Sequence, residues 1–170
     1  MARGTKVWSN GKIIPVEEAK ISLFSHVIHY GTGAFEGIRA YKQTKSDGAV
    51  FRLKEHMERL EDSIKIMGFE IPFTTDQLVQ GAIEACKANN FEECYIRPIA
   101  FIGDGPLGVF PGANPKIDVA ILVWDSSADI KIKGQQVGGK TKGMALAHRT
   151  AGKWLIEFDS ITPVISMPGN

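Results

Sequence analysis

Apolar and polar positions divide this chain into short alternating runs and two longer helical ones. Val7-Trp8-Ser9 and Lys12-Ile13-Ile14 flank Asn10-Gly11, the dipeptide that most readily takes a type I′ turn, so a hairpin opens the chain. Residues 15–20 read as a turn and 21–24 as a short strand. The run from Ser25 to Arg39 is glycine-rich, and its first part has no period and reads as a loop. Residues 38–42 and 49–53 read as paired strands around a turn at Ser46-Asp47-Gly48. From Lys54 to about Gly68, Met57, Leu60, Ile64 and Met67 recur at helical spacing, and Gly68 provides a stop.

A second helix begins near Thr74, where Thr74 and Gln77 form a capping-box pattern. Leu78, Val79, Ala82, Ile83 and Cys86 mark its inner face, and Asn89-Asn90 ends it. Residues 93–102 and 116–124 are the longest strand patterns, joined by a glycine- and proline-rich loop over 103–115. Val119 to Trp124 is apolar on both faces, which suits the middle of a sheet. Residues 1–124 therefore predict an α+β domain: a mostly antiparallel sheet with helices on one side. From 125 to 170 the pattern dissolves. Residues 131–143 are polar and glycine-rich, 144–158 give no clean stripe, and prolines interrupt 161–169. This tail reads as irregular, a linker with one short helix. No internal repeat is found.

A length of 170 residues holds one well-buried domain or, just, two small ones, and 44% hydrophobic with 23% charged residues is ordinary for a globular protein. A net charge of +1 gives no general electrostatic pull toward nucleic acid or an anionic membrane, though a local anion site needs only a few placed arginines. No apolar run reaches the ~18 residues of a spanning helix, and no signal-peptide core opens the chain. Cys86 and Cys94 fit no metal or redox spacing, so a reduced cytoplasmic setting is the economical reading.

Tyr95 and Arg97 stand two apart in a strand pattern, so both project from one face while Cys94, Ile96 and Pro98 point toward a core. Arg97 can hold a carboxylate with two parallel bonds, and Tyr95 can add a neutral donor. The alternative is an arginine on a solvated sheet face. Arg59 lies just off the apolar stripe of the first helix; unassisted, it reads as a surface arginine paired with Glu55 or Glu58. Phe35, taken by itself, reads as core. His26 and His29 have no acid or cysteine partner at metal-ligand spacing, so no metal site is expected. The loop 103–112 lacks the lysine-serine ending and following helix of a phosphate loop.

The run Ser25-His-Val-Ile-His-Tyr-Gly-Thr-Gly-Ala-Phe-Glu-Gly-Ile-Arg39, the helix run His56-Met-Glu-Arg-Leu60 and the strand Tyr95-Ile96-Arg97-Pro98 together resemble the branched-chain amino acid aminotransferases. Those are pyridoxal 5′-phosphate enzymes of fold type IV. The resemblance covers about residues 7–124 and implies the family's small N-terminal domain. It implies that Arg59 contacts the cofactor phosphate, and that Tyr30, Phe35, Gly37, Tyr95 and Arg97 face the substrate. Arg97 would receive the side-chain carboxylate of glutamate. Leu107 and Val109 would sit on a loop that crosses a dimer interface, over the partner's substrate pocket. The implied reaction moves an amino group between leucine, isoleucine or valine and 2-oxoglutarate. The implied partners are these amino acids and 2-oxo acids and a second copy of the chain, with no nucleic acid and no membrane.

The family also needs a lysine that bonds to the cofactor aldehyde, in a setting of the kind Ala-Lys-x-x-Gly-Asn-Tyr, and an acid in a Glu-x-x-x-x-Asn setting. Neither run occurs here, and Lys131, Lys133, Lys140, Lys142 and Lys153 have other contexts. No catalytic lysine is therefore assigned. The tail from 125 to 170 is expected not to be a complete cofactor-binding domain, through an internal deletion, a frame change or a fragment cut from a full enzyme. The other reading is a non-catalytic domain that self-associates.

Overall fold

The computed structural model describes residues 3–43 and 48–125, together with the backbone of 131–132, 135–136, 141–150 and 153–163. The chain separates into two compact units, one over Ala2–Ser126 and one over Ser127–Asn170. In the first, β1 (Lys6–Ser9) and β2 (Lys12–Pro15) form the expected hairpin, with Asn10 and Gly11 both at positive φ. Helix α1 (His26–Tyr30) and β3 (Gly33–Phe35) follow, then β4 (Ile38–Tyr41) and β5 (Ala49–Val50). Helices α2 (Leu53–Ile66) and α3 (Thr75–Ala88) precede the two long strands β6 (Cys94–Ile102) and β7 (Ile117–Trp124). These seven strands make one sheet in the order β2-β1-β7-β6-β4-β5, with β3 also on β6, and every pairing is antiparallel.

One face of the sheet is covered by α2 and α3. Met57, Leu60 and Ile64 from α2, and Leu78, Ala82 and Ala85 from α3, bury against Trp8, Ile38, Ile96, Val119 and Ile121. Met67, the last of the stripe read from sequence, is only partly buried. The Thr74 capping box is present: Thr74 Oγ1 accepts from the Gln77 amide, and the Thr74 amide donates to Gln77 Oε1. The buried face of α3 is centred differently from expectation. Gly81 and Ala85 are fully buried, whereas Val79 and Cys86 are partly so. The cause is Trp8, whose indole lies so close that a Cβ at Gly81 would meet it at 2.7 Å.

β6 is the organising strand. Cys94, Ile96, Pro98, Ala100 and Ile102 are buried, while the alternate residues face the side without helices. β4 pairs with β6 over Cys94 to Ile96, and β3 pairs with it over Ile99 to Phe101. Pro98 falls in the seam between them, where its carbonyl accepts from the Glu36 amide at 3.0 Å. Carbonyl and amide of one strand residue point to the same side, so the missing N–H of Pro98 faces this seam and breaks no ladder.

Three expectations are corrected. Residues 21–24 form no strand: the Ser25 amide bonds Ser22 O and the Phe24 amide bonds Ser22 Oγ, folding the segment into a turn. The stretch read as a loop contains α1 and β3, elements too short to show a period. The strand expected over 49–53 pairs only at Ala49–Val50, because Leu53 already begins α2. The turn expected at Ser46-Asp47-Gly48 lies largely outside the described residues.

In the second unit the backbone forms short strands β8 (Lys131–Ile132) and β9 (Gln135–Gln136), then a long antiparallel pair, β10 (Thr141–Thr150) with β11 (Lys153–Pro163). An irregular tail with one short helix is thus replaced by paired strands over 141–150 and 153–163. The pairing shifts register at Leu146/Ala147, which blurs the period-two pattern that would have announced it. Among the described residues, no helix is long and apolar enough to cross a membrane.

Candidate functional site

The helix-free face of the sheet carries a row of cross-strand neighbours. Tyr95 stands opposite Arg39 on β4 and opposite Trp124 on β7, and its ring stacks on the Trp124 indole at 4.7 Å. Two residues along, the Arg97 guanidinium lies 4.1 Å from the Phe35 ring centre, 5.3 Å from Tyr95 and 5.9 Å from Trp124. Its Nη2 donates to Tyr95 Oη at 3.1 Å. Among the described residues no carboxylate pairs with it, and its buried Nε has no hydrogen-bond partner. A cation walled by three aromatic rings, with a buried donor left over, is equipped to take an anion. Gly37 makes room for this: a Cβ there would overlap Tyr95 Oη. Phe35, 58% exposed, is a wall and not core.

Between Phe35 and Gly37, Glu36 points the other way and is buried. Arg59 grips it from α2 with two parallel bonds, Nε to Oε1 at 2.7 Å and Nη2 to Oε2, while His56 Nδ1 donates to Oε2 at 3.0 Å. Burial alone would raise the Glu36 carboxyl, but the bonds and charges of Arg59 and His56 outweigh it and hold the carboxyl below its ordinary value. The same carboxylate holds the Arg59 guanidinium above its usual range. Arg59 is therefore not paired with Glu55 or Glu58; its partner comes from the glycine-rich run. The guanidinium has five N–H groups, of which this grip uses two. Nη2 also lies 3.5 Å from His56 Nδ1, while Nη1 has no partner among the described residues, and the side chain is 66% exposed.

A third group lies along α1. His26 is buried, donates from Nε2 to Gly108 O at 2.7 Å, and sets Nδ1 at 2.9 Å from the Thr32 hydroxyl oxygen. Its ring lies over Tyr30 at 4.3 Å. The loop bearing Leu107 and Val109 is thereby fastened to the helix bearing Tyr30. A bond from Ser22 Oγ to Asp104 and a bridge between Ser25 and Asp104 add to the tie. Tyr30, Leu107 and Val109 are all exposed. The structure thus brings Phe35, Gly37, Tyr95 and Arg97 together, ties Arg59 to Glu36 between Phe35 and Gly37 but on the other side of the strand, and groups Tyr30 with the loop. Trp124, Glu36 and His56 were not singled out from sequence. Among the described residues, no group of histidines, cysteines and acids could hold a metal ion.

The profile of the family described as amino-transferase class IV matches residues 33–145, well over half of the chain. The chain belongs to the class IV aminotransferases. The matched class IV segment takes in Phe35, Gly37, Arg59, Tyr95 and Arg97 and runs past Trp124. The branched-chain-amino-acid aminotransferase of Escherichia coli K12 is 39% identical over 132 residues, which are 78% of this chain and 42% of that protein. Its counterpart in Salmonella typhimurium is 43% identical over 118 residues, 69% of this chain and 38% of that protein. A crystal structure of the Escherichia coli enzyme superposes with a TM-score of 0.71 at 41% identity, covering 74% of this chain and 41% of that one. The T.th. branched-chain amino acid aminotransferase, complexed with N-(5′-phosphopyridoxyl)-L-glutamate, gives a TM-score of 0.70 at 43% identity, covering 74% and 42%. This class IV chain spans about two fifths of the length of the curated relatives it matches.

Proposed function

We propose that this chain supplies the substrate-recognising side of a branched-chain amino acid aminotransferase centre. The single observation that carries the reading is Arg97: a cation enclosed by Phe35, Tyr95 and Trp124, with a buried Nε that none of the described residues satisfies. A carboxylate on a short chain would pair with the guanidinium, which no carboxylate among the described residues does, and this favours 2-oxoglutarate and glutamate as one substrate pair. The same aromatic walls offer apolar surface to a leucine, isoleucine or valine side chain. Tyr30 would add a wall from its own chain, and Leu107 and Val109 from a second copy. Relatives crystallised with pyridoxamine 5′-phosphate and with a phosphopyridoxyl adduct support pyridoxal 5′-phosphate as the cofactor. That group, when bound, supplies the electron sink that lets an amino group leave one carbon and join another. Arg59 would hold its phosphate by the guanidinium edge that Glu36 leaves free; the residues described assign nothing to the aldehyde or the ring nitrogen. The reading places the chain in the cytoplasm and keeps the division near residue 124.

Calorimetric titration with 2-oxoglutarate and with the mono-acid 2-oxoisocaproate tests this. The dicarboxylate should bind about tenfold tighter, as one added charge-assisted pair implies. Arg97→Leu should erase the difference. Equal affinities in the unchanged chain would defeat the proposal.

A second reading, a domain that self-associates without catalysis, is favoured by a different observation. Leu23, Phe24, Val109 and Phe110 are 79%, 64%, 86% and 73% exposed, on two segments tied together by Ser22, Ser25 and His26. Sedimentation showing association without any binding of 2-oxo acid would select it.

A further inference from the structure

The two cysteines are the chain's only thiols, and the fold brings them together although their spacing fits no motif. Cys86 lies in the last turn of α3 and Cys94 opens β6; their Sγ atoms are 3.6 Å apart, and both are free. Cys94 is fully buried, so it reaches no solute by itself. Cys86 is half-buried and lines a cleft of about 350 Å³, together with Ala40, Val50, Ile83, Lys87 and Phe91. A small, weakly polar oxidant such as a hydroperoxide fits such an opening. The hydrogen bond between the two sulfurs holds the Cys86 thiol below its ordinary value, against the opposing effect of burial. That same bond, then burial, pushes Cys94 up. One sulfur is thus reachable from solvent, and its buried neighbour waits 3.6 Å away, within a rotamer change of bonding distance.

We propose that Cys86 and Cys94 are a peroxide-reactive pair, with Cys86 attacking and Cys94 resolving. The Cys86 thiolate attacks one oxygen of a hydroperoxide; the O–O bond breaks, the sulfur gives up two electrons, and the other oxygen leaves with a proton as water or alcohol. This forms Cys86 sulfenic acid. The Cys94 sulfur then attacks the Cys86 sulfur, an S–S bond replaces the S–O bond, and the hydroxyl leaves as water with the Cys94 proton. One hydroperoxide is reduced for two thiols oxidised, and a thiol reductant restores the start. The product ties the end of α3 to the residue next to Tyr95, so the sheet face bearing Arg97 is coupled to the state of the pair. A buried pair inside one domain suits the reversible use of disulfides found in reducing compartments.

The test treats the whole chain with a modest excess of hydrogen peroxide at neutral pH. Both free thiols should disappear together, the chain mass should fall by two hydrogen atoms, and no chain-to-chain species should form without reductant. Trypsin cuts after Lys87 but not between Arg97 and Pro98, so the peptides 66–87 and 88–116 should emerge joined and part on reduction. Cys86→Ala should leave Cys94 unreactive, and Cys94→Ala should leave a Cys86 sulfenic acid that dimedone traps. Thiols that survive peroxide, a disulfide between two chains, or Cys86 driven singly to sulfinic acid would each overturn the proposal. Should Cys94→Ala not fold, the joined peptides of the unchanged chain decide the matter.

Discussion

Glu36 is a carboxylate in a place where a lone charge would be costly, and Arg59 with His56 is what makes the place tolerable. The two partners are not equivalent on removal. Arg59→Ala leaves a buried carboxylate with His56 alone and should cost about 2–3 kcal/mol, below the range for fully buried pairs because the outer edge of Arg59 is solvated. Glu36→Gln frees an arginine that water can hold and should cost about 1–2 kcal/mol. Chemical denaturation of the two variants gives the order. The sign with pH is fixed as well. The folded carboxyl lies below its unfolded value, so its contribution is complete above that value and is lost as pH falls through the folded one. The thermal midpoint should therefore drop less steeply on acidification in Glu36→Gln than in the unchanged chain. Tyr95 and Arg97 were legible because two-residue spacing in a strand states which side chains share a face. The pairing of Glu36 with Arg59 spans 23 positions and joins a strand margin to a helix, and no local period encodes such a contact. The resemblance brought Arg59 forward, but what holds it in place only the fold reveals.

At the scale of elements, α2 and α3 were readable because fourteen residues each give a stripe four turns long, and Thr74 with Gln77 states its own start. Thr74→Ala should cost about 1 kcal/mol, seen as a lowered unfolding midpoint with unchanged slope. α1 spans five residues and β3 three, less than two repeats of either period, so the same reasoning had nothing to count. Their placement depends on tertiary bonds, His26 to Gly108 O and the Glu36 amide to Pro98 O. Gly37 links this element scale to the site. Gly37→Ala forces the Tyr95 phenol away and breaks its bond from Arg97, so 2-oxoglutarate binding should weaken about tenfold. Thermal stability should fall far less, since Gly37 is exposed.

For the Ala2–Ser126 unit as a whole, an all-antiparallel sheet with helices on one face agrees with the fold class read from sequence, and with the relatives' structures. The open face and the tied segments 21–30 and 103–110 present apolar side chains to solvent. On the self-association reading, Val109→Glu should shift sedimentation toward the smaller species while leaving the circular dichroism unchanged, because Val109 is 86% exposed and supports no core. The paired strands 141–150 and 153–163 escaped the sequence because Gly143 and a register shift interrupt their alternation.

Pro98 has a consequence for fidelity. A slide of β6 by two residues would keep its apolar side inward, so hydrophobic burial alone does not forbid it. The slide would carry the imino nitrogen out of the gap between β3 and β4 and set it where one of them expects a donor. One ring closure thus proofreads the alignment of the whole central strand, and with it the address at which Arg97 is delivered.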